Sequence, residues 1–329
     1  MTTPHMRHDL LYGNVKLFAG TASPELANEI ANYLGKPLCG RDIIEFPNEN
    51  LFVRLHKSVR GQDCYVIQST PAPVHRNLME LLILIQTLKL DSAGRITAVV
   101  PYLCYGRSDK KDQPRVPITA KLVAEMIQIA GADRYMTFDL HAGQIQGFFS
   151  IPGDVLRTFH VIDDYLLEIA PSLKDPVVVT ADLGFAKKGR VYADLLHTGL
   201  AFIEKKRTTD IKNPRSMTVI GDVQDHDVIL VDDEISTGGS MVHAVEILKE
   251  HGARNIYMIF IHPVLSQNAA ERLADLPVKR FVTTNTIFID SQKRALFGDR
   301  LVILSIGSML GEVIRRANEG RSVGAMFNE

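Results

Sequence analysis

The sequence predicts an α/β protein made of two doubly wound parallel-sheet domains. Three observations carry this. Short, continuous apolar runs alternate with amphipathic helical patterns along the chain, the order that gives a parallel sheet covered by helices on both faces. The second half repeats the plan of the first. The 329 residues are 46% hydrophobic and 23% charged, which suits a globular protein with material for two cores.

The elements follow in order. VKLFAG (Val15 to Gly20) reads as a strand ending in a glycine turn. SPELANEIANYLG reads as a helix: Ser23 can cap it, Pro24 suits the first turn, and Gly35 ends it. Leu26, Ile30 and Leu34 fall on one face of it. CYVIQST is a strand, HRNLMELLILIQTLKL a long helix, ITAVVPYL a strand, ITAKLVAEMIQIAGA a helix, and YMTFDLH a strand with a polar end. In the second half PVVVTADLG is a strand, KGRVYADLL a helix, and DVILVDDEISTGGS a strand running into a glycine-rich loop. MVHAVEILKEHGA is a helix, NIYMIFIHPVL a strand, and SQNAAERLAD a helix.

A faint internal repeat supports two related domains. LKLDSAGRITAVVPY and LKEHGARNIYMIFIHP each give a helix end, a turn of glycine and alanine, a basic residue, a strand and a proline. SIPGDVLRTFH (Ser150 to His160) is the expected crossover between the halves, and the helix around MLGEVIRRANEG is expected to return to the first domain.

Composition excludes some functions. A formal net charge of -1 argues against a general nucleic-acid or membrane-surface binder, so an acidic ligand has to be held by local clusters. Cys39, Cys64 and Cys104 have no metal-ligand or CxxC spacing and read as reduced thiols. The start, MTTPHMRHDL, lacks an apolar leader segment, and no apolar run has the length of a membrane span. A cytoplasmic enzyme is expected, with no membrane and no nucleic-acid partner.

The richest chemistry lies after the apolar run Val228 to Val231. Asp232 and Asp233 come next, followed by Ser236, Thr237, Gly238, Gly239 and Ser240 before a helix. Open α/β sheets bind ligands at the carboxyl ends of their strands. Glycines let backbone approach an anion, hydroxyls donate to it, and the N–H groups of a helix start point at it. Two adjacent carboxylates suit a sugar diol or a divalent metal. With no Walker lysine, the pattern favours a sugar phosphate over a nucleoside triphosphate cradle.

VILVDDEISTGGS resembles the phosphoribosyl-diphosphate loop of type I phosphoribosyltransferases and of ribose-phosphate pyrophosphokinases. The first half separates the two. KLFAGTASPELANEIANYLG, VRGQDCYVIQST, NLMELL, SAGRITAVVPY, PRVPITAKLVAEM and DLHAGQIQGFF resemble the pyrophosphokinase family in order and spacing, from about Lys16 to Phe327. The resemblance implies two phosphoribosyltransferase-like domains related by pseudo-duplication. Their expected spans are 11–157, joined by a C-terminal helix at about 308–329, and 158–307.

It also implies an activity: diphosphate passes from ATP to the anomeric hydroxyl of ribose 5-phosphate, giving 5-phosphoribosyl 1-diphosphate and AMP. By resemblance, His141 and Asp182 bind Mg²⁺, and Lys205 and Arg207 are the basic catalytic residues of a flexible loop. Asp232, Asp233 and the segment Ser236 to Ser240 hold the ribose phosphate. Lys187 and Lys188 lie in the segment that holds the diphosphate. Arg107 and Asp109 belong to a triphosphate segment, and Phe46, Asn48 and Asn50 to a hairpin that reads the base in a neighbouring subunit. Gln146, Asp154, Ser305 and Ser308 match segments of a regulatory anion site at subunit contacts. Self-association into dimers and hexamers is implied.

The sequence departs from the family at three places. Ser108 stands for a usual glutamine, Asn50 for a usual glutamate, and Ser236 for a common aspartate. Asn50 leaves the donor nucleotide open, because an amide both gives and accepts hydrogen bonds whereas a carboxylate only accepts. Two rival readings stand beside the enzyme: a non-catalytic regulatory relative that assembles with an active synthetase, and a phosphoribosyltransferase.

Overall fold

A computed structural model describes residues 12–207 and 215–326, with the side chains at 183, 205–207 and 215–217 left out. The chain divides into two compact units. The first holds residues up to Leu156, a short piece at Thr286–Phe288 and everything from Ile306; the second holds Arg157–Asn285 and Ile289–Ser305.

The first unit begins with β1 (Val15–Ala19) and α1 (Pro24–Leu34). Pro24 opens this helix, and Gly35 closes it in the left-handed region at φ 61°. Ser23 does not cap it. Its hydroxyl is buried and accepts the Ser69 N–H at 3.0 Å, so a tertiary bond replaces the local one expected of it. A hairpin follows, β2 (Arg41–Glu45) and β3 (Leu51–Leu55), then β4 (Asp63–Ile67), α2 (Val74–Leu90), β5 (Arg95–Val100), α3 (Thr119–Ala130), β6 (Arg134–Phe138) and β7 (Gly153–Leu156).

The sheet order is β1-β4-β5-β6-β7, parallel throughout. The expected crossover segment is therefore narrower than its sequence suggests, because Gly153–Leu156 pairs with β6 as an edge strand.

In the second unit α4 (Phe159–Ile169) precedes β8 (Pro176–Thr180), α5 (Ala186–Leu195) and the hairpin β9 (Gly199–Arg207) and β10 (Arg215–Ile220). β11 (Asp227–Glu234), α6 (Gly239–Glu250), β12 (Asn255–His262), α7 (Ala269–Ala274), β13 (Arg280–Thr284), α8 (Ser291–Phe297) and β14 (Leu301–Leu304) complete it. Its sheet runs β10-β9-β8-β11-β12-β13-β14, with antiparallel pairing at β9–β10 and parallel pairing elsewhere. The last helix, α9 (Gly307–Glu319), belongs to the first unit.

Strand-residue alternation explains the double winding. In the first unit Leu17, Tyr65, Val99 and Met136 pack with α1 and α9, while Phe18, Val66, Ala98 and Val100 pack with α2 and α3. In the second, Val228, Leu230 and Met258 face α6 and α7, and Val178, Ile229 and Val231 face α4 and α5. Neighbouring residues on one strand thus feed opposite cores, and each strand reads as a continuous apolar run.

The two sheets repeat one another. β1-β4-β5-β6-β7 and β8-β11-β12-β13-β14 have the same order and direction, and each has a hairpin inserted before its second strand. The strand-and-helix repeat in the sequence falls at matching places, β5 and β12.

The α9 anchor to its sheet is polar. Buried Asp63 accepts two bonds from Arg95, at 2.7 and 2.6 Å, and one from Asn318 of α9 at 2.8 Å.

Candidate active site

The second unit concentrates its chemistry at the carboxyl edge of β8 and β11. These strands pair in parallel up to Val231 opposite Thr180; beyond that point Asp232, still paired with Phe260 of β12, feels the charge of Asp182. Asp182 is held by its own turn: Thr180 donates its hydroxyl to the Asp182 carbonyl at 2.9 Å, and Asp182 Oδ1 accepts the Phe185 N–H at 3.0 Å.

Asp232 Oδ1 accepts the Asp233 N–H at 2.9 Å, and Asp233 Oδ1 accepts the Glu234 N–H at 2.8 Å. Burial pushes the Asp232 carboxyl well above the usual carboxylate range. The negative charges of Asp233 and then Asp182 push it further the same way. Three carboxylates so close together need a cation or a set of hydroxyl donors to ionise together.

The loop after β11 is clamped from below by the segment after β12. Ile235 donates its N–H to the His262 carbonyl at 3.1 Å, and Leu265 donates to the Ile235 carbonyl at 2.9 Å. Ser266 donates its N–H to the Ser236 carbonyl at 3.0 Å, and the two hydroxyls lie 2.9 Å apart. Arg272 of α7 holds the Thr237 carbonyl.

Gly238 sits in the left-handed region at φ 75° and caps α6. A Cβ on Gly239 would meet no atom within 4 Å, so the space over this residue is open to a ligand. Thr237 and Ser240 are exposed, Ser236 is half-buried, and α6 presents its N-terminus at this point.

Ser266 explains a difference from the sequence reading. The helix expected over SQNAAERLAD begins only at Ala269, because Leu265 and Gln267 take positive φ while Ser266 is engaged in holding the loop. No sequence signal marked Ser266 as part of this site.

Lys188, in the first turns of α5, carries an enclosed ammonium without a hydrogen-bonding partner among the described residues, 5.2 Å from the centre of the Phe185 ring. Lys205 and Arg207 lie on β9, opposite Met217 and Arg215 of β10. Their side chains, and residues 208–214, are outside the described residues.

The first unit brings its own predicted residues together. His141 follows β6 and is exposed. A Cβ on Gly106 would stand 3.5 Å from His141 Cβ, so the segment carrying Arg107 packs against the His141 turn. Arg107 is exposed, whereas Asp109 is only 6% exposed and its Oδ2 accepts a hydrogen bond from Gln144. Asp109 therefore shapes this segment from within. Gln144, which the sequence reading did not single out, ties the two segments. Asp139, at φ 36°, turns the chain toward His141.

The hairpin tip between β2 and β3 is exposed at Phe46, Asn48 and Asn50. Asn48 Oδ1 accepts the Asn50 N–H at 3.2 Å, and Phe46 lies 6.3 Å from Phe52 between ring centres. The four residues of the expected regulatory site are engaged to different degrees. Gln146 donates to the Gly143 carbonyl at 3.2 Å, Asp154 accepts from Arg134 at 2.9 Å, Ser305 accepts from Asn285 at 3.4 Å, and Ser308 is exposed.

Comparison with known proteins shows the family. Residues 15–131 match the model for the N-terminal domain of ribose phosphate pyrophosphokinase, and residues 204–328 match the phosphoribosyl synthetase-associated domain. A ribose-phosphate pyrophosphokinase of Wolinella succinogenes is 43% identical over 312 residues, covering 95% of this chain and 98% of that protein. One from Haemophilus ducreyi is 44% identical over 318 residues, covering 96% and 99%.

The chain belongs to the ribose-phosphate pyrophosphokinase family.

A crystal structure of phosphoribosylpyrophosphate synthetase from Mycobacterium smegmatis superposes with a TM-score of 0.87 at 42% identity, covering 93% of this chain and 99% of that one. In the second unit the acid pair Asp232–Asp233 and the loop to Ser240 are what the sequence alone marks best. Ser266 in that unit, and Gln144 in the first, are revealed only by the fold. No helix among the described residues is long and apolar enough to cross a membrane.

Proposed function

We propose that this protein transfers diphosphate from ATP to the anomeric hydroxyl of ribose 5-phosphate, yielding 5-phosphoribosyl 1-diphosphate and AMP. The observation that carries the reading is the open, clamped loop Ser236–Ser240 beside Asp232 and Asp233, in a chain of this family. The loop hydroxyls and the N–H groups at the start of α6 take the 5-phosphate. Asp232 and Asp233 take the ribose hydroxyls.

Among the described residues no three His, Cys, Asp or Glu side chains form a group that could hold a metal ion. Mg²⁺ does not ask for a closed cage, since it keeps water and substrate phosphate oxygens and uses one or two protein donors. The raised Asp232 carboxyl beside Asp182 is an acid cluster that a divalent cation would relieve. By the family resemblance, Asp182 and His141 are assigned to Mg²⁺, which would neutralise charge on the phosphate oxygens during transfer.

Lys205 and Arg207 are assigned to stabilising charge that grows as the β-phosphorus is attacked and AMP departs. Lys188, with its enclosed and unpaired ammonium, suits a diphosphate oxygen. Arg107 contacts the triphosphate, and Asp109 fixes the shape of that segment. Phe46, Asn48 and Asn50 read the base from a neighbouring subunit, which requires at least a dimer and fits a hexamer. Gln146, Asp154, Ser305 and Ser308 are assigned, by resemblance of their segments, to a regulatory anion site at subunit contacts that would take phosphate or ADP. We assign phosphoribosyltransferase-like domains to 11–157, with the C-terminal helix at about 308–329, and to 158–307; the compact units divide instead after Leu156 and Ser305, with Thr286–Phe288 in the first. The protein works in the cytoplasm.

The test is to incubate the protein with ATP, Mg²⁺ and ribose 5-phosphate and to follow AMP. AMP release that needs both the sugar and the metal supports the reading. A silent protein points to a regulatory relative. Consumption of 5-phosphoribosyl 1-diphosphate with a base, without ATP turnover, points to a phosphoribosyltransferase.

A further inference from the structure

A cavity of about 420 Å³ lies in the first unit between the start of β1, the turn after α1 and the end of β3. None of the residues assigned above lines it. Its basic lining is Lys16, Lys36, His56 and Lys57, and no acidic side chain lines it. None of the three lysines has an ion-pair partner among the described residues.

His56 is fixed in place. Its backbone N–H donates to the Gly40 carbonyl at 3.0 Å, its Nε2 lies 2.8 Å from Asp42 Oδ1, and a Cβ on Gly40 would come 2.5 Å from its Nδ1. The nearby acid, Asp42, is thus engaged by His56, and by Arg54 at 2.5 Å. Three uncompensated ammonium groups around one concavity focus a positive potential on it. The rest of the lining is mixed: Phe18, Leu38 and Val59 give an apolar wall, and Asn14 and Ser58 are its polar members. The volume falls in the range of small-ligand sites, roughly 300–1,000 Å³.

We propose that this cavity binds a phosphorylated small molecule of nucleotide size, with its phosphate on the lysines and its flatter, less polar body on the apolar wall. Lysine suits this as a point-charge phosphate donor. The site goes beyond the reaction proposed above and does not depend on it.

Cys39 provides a local reporter. It lines the cavity and is half-buried, whereas Cys64 and Cys104 are buried. Iodoacetamide alkylation of Cys39 would be followed by peptide mass spectrometry with AMP or inorganic phosphate as the probe. The wild type would be compared with the variant Lys36→Gln/Lys57→Gln. Both substituted side chains are exposed, so the fold should tolerate the change.

AMP at about ten times its dissociation constant should slow Cys39 alkylation roughly tenfold. The variant should show almost no protection at the same concentration, and inorganic phosphate should protect the wild type less well than AMP. Absence of protection in the wild type, or equal protection in both proteins, overturns the site. Phosphate protecting as well as AMP overturns the nucleotide-sized ligand. The readout does not use turnover, so its failure leaves the proposed reaction standing.

Discussion

Asp233 donates its backbone N–H to the Asp232 carboxylate at 2.9 Å, so the two acids at the end of β11 are fixed against each other by one bond. The bond offsets part of the unfavourable charge on Asp232, but burial and the charges of Asp233 and Asp182 outweigh it. The free protein therefore holds a penalty at this point that a bound cation or sugar relieves. Stability stored as strain at a binding site is the usual trade between folding and function.

The first prediction concerns that penalty. The Asp232 carboxyl has its folded-state value raised, so its contribution favours folding most below the ordinary carboxylate value of 3.8. That contribution is lost as pH rises through the raised value. Asp232→Asn removes the charge, so the unliganded variant should melt above wild type at neutral pH. The gap should close toward pH 3.8. The same variant should bind ribose 5-phosphate more weakly. Calorimetric melting across pH and a sugar-binding titration check both halves. A variant that melts lower than wild type at neutral pH removes the electrostatic account.

The second concerns the β9–β10 hairpin. Lys205→Ala and Arg207→Ala should each lower kcat by about a hundredfold or more, the loss of roughly 3 kcal/mol of transition-state stabilisation, with little change in KM for ribose 5-phosphate. Steady-state kinetics decide it. Near-wild-type turnover in both variants would remove them from the catalytic assignment.

The third follows from a bond that only the fold reveals. Gln144→Ala leaves the Asp109 carboxylate, 6% exposed, without the hydrogen bond that Gln144 gives it. Stability should fall by about 1–3 kcal/mol. The segment carrying Arg107 should loosen, raising KM for ATP more than KM for ribose 5-phosphate. Gln144→Glu would place a second carboxylate against Asp109 and should be worse than alanine. Denaturant unfolding with paired kinetics tests the order of the two variants.

The fourth concerns donor choice. At the exposed hairpin tip Asn48 is engaged with the Asn50 N–H, which leaves the Asn50 side chain as the adaptable polar group. An amide can both give and accept a hydrogen bond, so the wild type should discriminate less sharply among nucleoside triphosphates than Asn50→Glu, which favours the exocyclic amine of adenine. Comparing kcat/KM for ATP, GTP and CTP in both proteins tests this. Identical, strictly ATP-selective profiles would mean that Asn50 does not read the base.

The sequence made the parallel strands and the loop after β11 legible because both depend on local pattern. A strand buried on both faces must be continuously apolar, as Val228 to Val231 are, and a turn that binds an anion needs glycines and hydroxyls close together. β7 at Gly153–Leu156 was not legible, because a short edge strand with one polar residue reads as a connection. The Ser23 hydroxyl looked like a helix cap because that role is local, whereas its partner, Ser69, is brought close only by the fold. Ser266 and Gln144 escaped for the same reason. Their importance lies in what they hold, Ser236 and Asp109, each some 30 residues away or more in sequence.

The central claim is that the β-phosphorus of ATP ends on the sugar. It is tested most directly with ATP labelled at the β-phosphate, given together with ribose 5-phosphate and Mg²⁺. The account predicts that the label moves into 5-phosphoribosyl 1-diphosphate as unlabelled AMP is released in equal amount. Label that stays in ATP, or that appears in ADP or free phosphate without a labelled sugar product, would contradict it.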